Sequence, residues 1–285
     1  MNKRYNLVKK ITDEAFKYFG LLCTFFGLFM LAIFISKILS EGLHRIDWDF
    51  ITNYPSRMAS RAGILSALAG TLWIMVLTAV IAIPIGIGAA IYLEMYAKKT
   101  RFGRIVELNI ANLAGVPSII YGLLGLEIFS FTLSMGGSIL AGSFTLALLI
   151  LPIIIVATRE ALKAVPKTLS EGSYALGATK WQTIRMTVLP AANSGILTGI
   201  IIALSRAIGE AAPLIVVGAL AYVPFVPTSP ASEFTVMPIQ IFNWVSRPQK
   251  AFLVNASAGI IILLCIVFVM NAIAVYLRIR RRVKY

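Results

Sequence analysis

Two places in the sequence carry residues whose types and spacing could do chemistry. In ALSRAIGEAAPLI, residues 203 to 215, Arg206 and Glu210 stand one helical turn apart inside a long apolar run. A guanidinium offers forked donors that match phosphate or carboxylate oxygens. A carboxylate four residues on can hold that guanidinium in place, repel an anion, or carry a proton. An arginine at the centre of a bilayer costs about 2.5 to 3.5 kcal/mol on insertion scales, so charges in such a run are by default a functional-site hypothesis. The second place is REALKAVPKTLSEGSYALGATKWQTIRMTVLP, residues 159 to 190, in which Glu171, Gly172, Ser173, Gly177, Leu189 and Pro190 punctuate a basic segment.

The elements that must position these groups are membrane helices. The chain has 285 residues, of which 59% are hydrophobic and 13% charged; an ordinary soluble domain has about 25% charged residues. Apolar stretches reach the roughly 20 residues that a helix needs to cross a bilayer. Six spans are expected, near 19 to 39, 65 to 93, 108 to 130, 138 to 158, 192 to 220 and 251 to 277, giving an all-α membrane protein. The first segment is too long for the apolar region of a cleavable signal peptide and lacks a small-residue cleavage site at Ser40-Glu41-Gly42, so it is expected to remain as a helix. The predicted organisation is a tail over 1 to 18, the first helix over 19 to 39, an outer loop over 40 to 64, a five-helix transmembrane domain over 65 to 277, and a basic tail over 278 to 285.

A net charge of +14 invites a nucleic-acid reading, but the charges sit where topology would put them. Of 26 Lys and Arg residues, five lie in 1 to 18, four in 94 to 107, five in 159 to 190 and five after 277. Loops 40 to 63 and 221 to 250 hold three and two. The positive-inside rule then places both termini and the two richer loops in the cytoplasm, and no nucleic-acid partner is expected. Cys23 and Cys265 fall within spans and read as small apolar packing residues. His44, the one histidine, has no neighbours at metal-ligand spacing, so no metal site is expected. There is no phosphate-binding loop, dinucleotide fingerprint or nucleophile elbow, and hence no ATPase or hydrolase site legible in this chain.

Loop 159 to 190 is longer than the usual helix connection of about 2 to 8 residues. Its pattern suits two short amphipathic helices. Ser170 is a plausible N-cap before Glu171, and Tyr174, Leu176, Trp181 and Ile184 form an apolar face beside Lys180 and Arg185. Gly177 allows a turn through positive φ, and Pro190 can start the next helix without an amide donor. An interfacial helix lying on lipid headgroups fits the same residues. The order Glu171-Gly172-Ser173, then Gly177, then Leu189-Pro190 resembles the EAA loop of ABC-transporter permeases, E-A-A-x-x-x-G followed nine residues later by I-x-L-P. Gly and Ser replace the two alanines here, and Thr187 replaces the isoleucine. The resemblance implies that the loop docks into a cytoplasmic ATPase.

Arg206 is the fifteenth of the 29 residues of the expected fifth span, and Gly195, Gly199, Ile202, Arg206, Gly209, Glu210 and Pro213 fall in one sector of that helix. Such a seam of small residues with two charges should face protein or water. The pair either locks helices together or lines a path for a charged solute. Pro213 removes the amide that would bond the carbonyl of Gly209, so the helix is expected to bend beside Glu210. Gly115, Pro117 and Gly122, with Pro84, Gly86 and Gly88, read mainly as packing and kink positions. In loop 221 to 250, Phe242 and Trp244 among five prolines suit either aromatic anchors for a partner or a simple aromatic belt.

Three stretches, GVPSIIYGLLGL at 115 to 126, ALSRAIGEAAPLIVVGA at 203 to 219 and MPIQIFNWVSRPQKAF at 237 to 252, together resemble the permease subunits of bacterial phosphate importers, within the binding-protein-dependent ABC importer permeases. That resemblance implies a type I ABC importer permease fold in the prokaryotic inner membrane. It implies as partners a second, non-identical permease, a dimer of ATP-binding subunits and an external phosphate-binding protein, with phosphate as substrate. ATP and Mg would be used by the ATPase, with no cofactor on this chain. It places Arg206 and Glu210 in the substrate pathway, and Glu171, Gly172, Ser173, Gly177, Leu189 and Pro190 in ATPase coupling. Other oxyanions, the sister permease subunit, an ion-coupled carrier using Glu210 as a proton site, and a non-transporting scaffold are the alternatives.

Overall fold

The computed structural model describes residues 3 to 97, 100 to 220 and 222 to 280. Within them the chain is mostly helical, with irregular connections and an isolated antiparallel bridge between Ser138 and Glu233. In chain order the α-helices are α1 (Lys3–Gly42), α2 (Trp48–Thr52), α3 (Leu65–Ile91), α4 (Arg101–Leu113), α5 (Ser118–Gly125), α6 (Ile139–Lys163), α7 (Lys167–Ala175), α8 (Lys180–Thr183), α9 (Leu189–Ala207), α10 (Ala212–Val217), α11 (Met237–Val245) and α12 (Ala251–Arg280). Three π-turns extend them: Tyr92–Tyr96 after α3, Leu126–Thr132 after α5 and Ile184–Val188 between α8 and α9. Five of the resulting helices are long and apolar enough to span a membrane, or six if the bent α4 and α5 pair counts as one span.

The centre of the bundle is α6, which packs on α3, α9, α5, α10 and α4. It is apolar on nearly every side, from Ile139 through Leu146, Ile150 and Ile154 to Leu162, and a helix apolar all round belongs inside. Small residues set the approach of α9 to α6. A Cβ at Gly199 would lie 2.4 Å from that of Ala157, and one at Gly195 would lie 2.6 Å from that of Ala161. Where lipid removes the usual hydrophobic drive between helices, such close backbone packing holds them together. By contrast α1 rests on α12 near its end, where Gly42 meets the backbone of Ser257 and Ala258. Phe25, Phe26, Phe29 and Phe34 on α1 remain exposed.

Two expected spans are not straight. The third is broken between Leu113 and Ser118, and α4 and α5 meet at 104°. Pro117 supplies no amide and disfavours helical backbone at Val116, which explains the site of the break. Residues 101 to 107, expected in a loop, already belong to α4, capped by Thr100 accepting from the amide of Gly103. The fifth, expected as one helix over 192 to 220, ends at Ala207 and restarts at Ala212. The helix also begins earlier than expected, at Lys180, running through the π-turn into α9. Pro190 stands in the first turn of α9 as expected, and the π-turn before it joins α8 to α9 without a gap. Of the tails, α1 is helical from Lys3, while positions 281 to 285 of the basic C-terminal tail lie outside the described residues. Cys23 and Cys265 are unpaired on exposed faces of α1 and α12 rather than packed inside.

Candidate functional site

Arg206 is the penultimate residue of α9. Beyond Ala207 the helix tightens, with the amide of Gly209 donating to the Arg206 carbonyl and that of Glu210 to the Ala207 carbonyl. Glu210 is thereby placed in the break itself, and its Oε1 lies 3.4 Å from Nε of Arg206. The arginine side chain is 41% exposed and the glutamate 19%. The glutamate borders a cleft with Thr71, Met75 and Ile208, of only about 10 Å³. The pair is a loose contact at the rim of the bundle. Within the break the amides of Ile208, Gly209 and Glu210 still donate to carbonyls of the preceding turn, and interrupted helices are typical where membrane proteins form solute sites.

The sector expected to carry Gly195 through Pro213 as one face divides. Gly195 and Gly199 meet α6, while Ile202 is 57% exposed and Arg206 points outward with it. The buried row continues from Gly199 to Ala203 and Ala207. Residues four apart advance about 40° round a helix, so this row rotates away from Arg206 along α9. Pro213 does not bend one helix. It stands in the first turn of α10, where a missing amide costs little, and Gly218 closes α10 with φ +110°.

The second broken helix meets the first at this point. A Cβ at Gly122 of α5 would lie 2.8 Å from Cα of Pro213, so α5 and α10 touch backbone to backbone. Tyr121 belongs to the same apolar cluster as Ala207 and Ile208, and its hydroxyl donates to the Leu113 carbonyl at 2.8 Å, tying α5 to the end of α4 across the bend. Gly125 sits against Thr145 of α6, and Gly86 of α3 against Ile154. Gly115 has only its own turn nearby.

Loop 159 to 190 is a rigid elbow. Gly177 turns the chain at φ +82° between α7 and α8, in open space. Thr179, not Ser170, is the cap: its side chain accepts from Gln182 N, and the Gln182 side chain accepts from Thr179 N. Ser170 lies within α7, its hydroxyl donating to the Lys167 carbonyl. Oγ of Ser173 and Oγ1 of Thr183 lie 3.0 Å apart and lock α7 to α8. The expected apolar face divides, because Ile184 is fully buried while Leu176 is 90% exposed and Trp181 and Tyr174 also project. Glu171 and Gly172 are exposed on α7, and Leu189 and Pro190 are half-buried where α9 begins. In the outer loop Phe242 is exposed, but Trp244 is fully buried against Phe50, so it anchors the fold rather than a partner.

One cluster escaped the sequence reading. Arg159, at the end of α6, is 8% exposed, with Nη2 at 2.8 Å from Oε1 of Glu107 and 3.4 Å from Oε2 of Glu94. The signal was present in the two carboxylates that bracket the basic segment 94 to 107.

A family model described as "Binding-protein-dependent transport system inner membrane component" matches residues 82 to 283. The probable ABC transporter permease protein YqgI of Bacillus subtilis is 30% identical over 275 residues, covering 91% of this chain and 93% of its own length. The phosphate transport system permease protein PstA of Haemophilus influenzae is 32% identical over 245 residues, covering 86% of each chain. Among solved structures, a bacterial ABC transporter involved in the import of the acidic polysaccharide alginate superposes with a TM-score of 0.68 at 18% identity, over 98% of this chain and 100% of that one. That likeness carries the all-α fold and not the substrate.

Proposed function

Because the chain belongs to the family of binding-protein-dependent transport system inner membrane components, and so is a multi-pass ABC importer permease, we propose that it is a permease subunit of an ATP-driven phosphate importer. The observation that carries the substrate is the 32% identity to a phosphate permease across most of both chains. The paired Arg206 and Glu210 at the α9 break agree with it in chemistry. A second, non-identical permease completes the pathway by covering the face on which Arg206 and Ile202 are open. A dimer of ATP-binding subunits docks on loop 159 to 190, and an external phosphate-binding protein delivers the substrate. ATP and Mg act in the ATPase, and the complex resides in the prokaryotic inner membrane.

Glu210 sets the terms of transport. Its carboxylate cancels part of the field that Arg206 would offer a phosphate, so the pair separates as the anion passes. The 3.4 Å Nε contact is long for a charge-assisted bond and leaves the terminal guanidinium nitrogens free of Glu210. Gly177, Glu171, Gly172 and Ser173 present the elbow to the ATPase, while Leu189 and Pro190 join it to α9 and hence to Arg206.

Reconstitution of the complete importer in vesicles, with uptake of labelled phosphate measured in the presence of excess sulfate, tests this reading. Uptake that needs enclosed ATP and resists sulfate is expected. Uptake driven by a proton gradient without an ATPase would contradict the mechanism, and full competition by sulfate would contradict the substrate.

A further inference from the structure

We propose that Arg159 is the positioning residue through which the elbow moves the end of α3 and the middle of α4. The guanidinium lies four residues before the end of α6, and Ala164, Val165 and Pro166 alone separate that end from α7. Its Nη2 holds Glu107 of α4 at 2.8 Å and Glu94 of the π-turn after α3 at 3.4 Å. One buried side chain therefore joins three elements where the elbow starts.

The π-turn Tyr92–Tyr96 also grips the far half of the elbow. Nζ of Lys180, the first residue of α8, stands 4.5 Å from the centroid of the Tyr96 ring. Met95, between Glu94 and Tyr96, packs on the cluster of Leu162, Val188 and Ala192. Both ends of the elbow thus act on five consecutive residues, the π-turn that closes the helix begun by α3, and π-turns are frequent at functional sites. A rigid α7–α8 unit that tilts must carry this turn with it.

The clamp is built to shift. Nε of Arg159 is buried without a hydrogen-bond partner. Beside it lies a cavity of about 270 Å³ lined by Glu94, Ala97, Arg104, Glu107 and Lys163. A buried arginine serving only to hold the fold would be expected to use more of its donors, since an unmet buried donor is costly. Here free space and a free donor lie together, so the guanidinium has room to exchange partners.

The inference rests on loop 159 to 190 docking an ATPase, and Gly177→Asp tests that docking separately through release of the ATPase. The clamp itself is tested in the assembled importer with Cys23 and Cys265 changed to alanine and Ala97→Cys as a reporter in the cavity. Maleimide labelling is compared without nucleotide and with ATP and vanadate, a comparison that requires no transported substrate. With Arg159 intact the labelling rate changes by about tenfold, within the usual range of coupling between sites. In Arg159→Gln that change disappears while the ATPase stays bound, and the charge swap Arg159→Glu with Glu107→Arg brings it back. Arg159→Gln that assembles and keeps the full change overturns the proposal, as does a reporter unresponsive to nucleotide with Arg159 intact. If Arg159→Gln does not assemble, the swap decides. A responsive swap upholds the clamp, and a swap that assembles without responding, or does not assemble, overturns it.

Discussion

Nε of Arg206 and Oε1 of Glu210 lie 3.4 Å apart across the point where α9 stops being a helix. Four residues in a regular helix would place both groups on a smooth face, but here the carboxylate is carried on the break. The same break brings Pro213 against Gly122 of α5, so the two interrupted helices of the bundle share one contact.

Replacing Gly177 by alanine should loosen the ATPase without disturbing the bundle. Nothing lies within 4 Å of an added Cβ, so the change acts through φ +82° alone. Left-handed backbone costs an L residue about 1 to 2 kcal/mol, a factor of roughly 5 to 30 in an equilibrium. Copurification of the ATPase with Gly177→Ala should fall by that factor, and less with Gly177→Asn, since asparagine tolerates this region. Equal retention by all three chains would show that the elbow does not need its turn.

The contact of α9 with α6 admits no larger residue. Gly199→Val should lower the thermal midpoint of the purified importer, because a Cβ there falls 2.4 Å from that of Ala157. Overpacking of this kind costs about 1 to 3 kcal/mol. Gly199→Ala combined with Ala157→Gly should regain most of the loss. Gly88→Ala is the control, since nothing lies within 4 Å of its added Cβ. A midpoint unchanged by Gly199→Val would mean that the helices do not meet there.

Tyr121→Phe removes the donor to the Leu113 carbonyl, a neutral hydrogen bond of 2.8 Å whose kind contributes about 0.5 to 1.5 kcal/mol. Amide hydrogen exchange at 113 to 116 should accelerate while the importer remains assembled. Exchange identical to that of the unaltered chain would leave the bend held by Pro117 alone.

Much of this molecule is legible in its sequence. Hydropathy found the spans and Gly177 announced its turn, because apolar length and positive φ are local properties. The charge pair was found because Arg206 and Glu210 are conspicuous in an apolar run. What failed depended on competition between local signals. Pro117 and the residues around Gly209 ended helices that hydropathy drew as continuous, and the π-turn Ile184–Val188 joined α8 to α9 ahead of Pro190. A single 100° sector could not show that the buried row on α9 turns away from Arg206. Trp244 reads as a partner anchor or a belt residue in sequence because a proline-rich loop conceals how deeply α11 packs. Arg159 was missed because its partners, Glu94 and Glu107, are distant in sequence.

Uptake of labelled phosphate by importers carrying Arg206→Gln, with complex assembly verified, tests the central claim most directly. Loss of a charge-assisted bond to a passing anion, about 1.5 to 3 kcal/mol, should lower uptake by roughly 10-fold to 150-fold. The ATPase should remain bound, since Arg206 lies far along α9 from the elbow. Uptake by assembled Arg206→Gln equal to that of the unaltered chain would make the pair a packing contact and contradict the pathway.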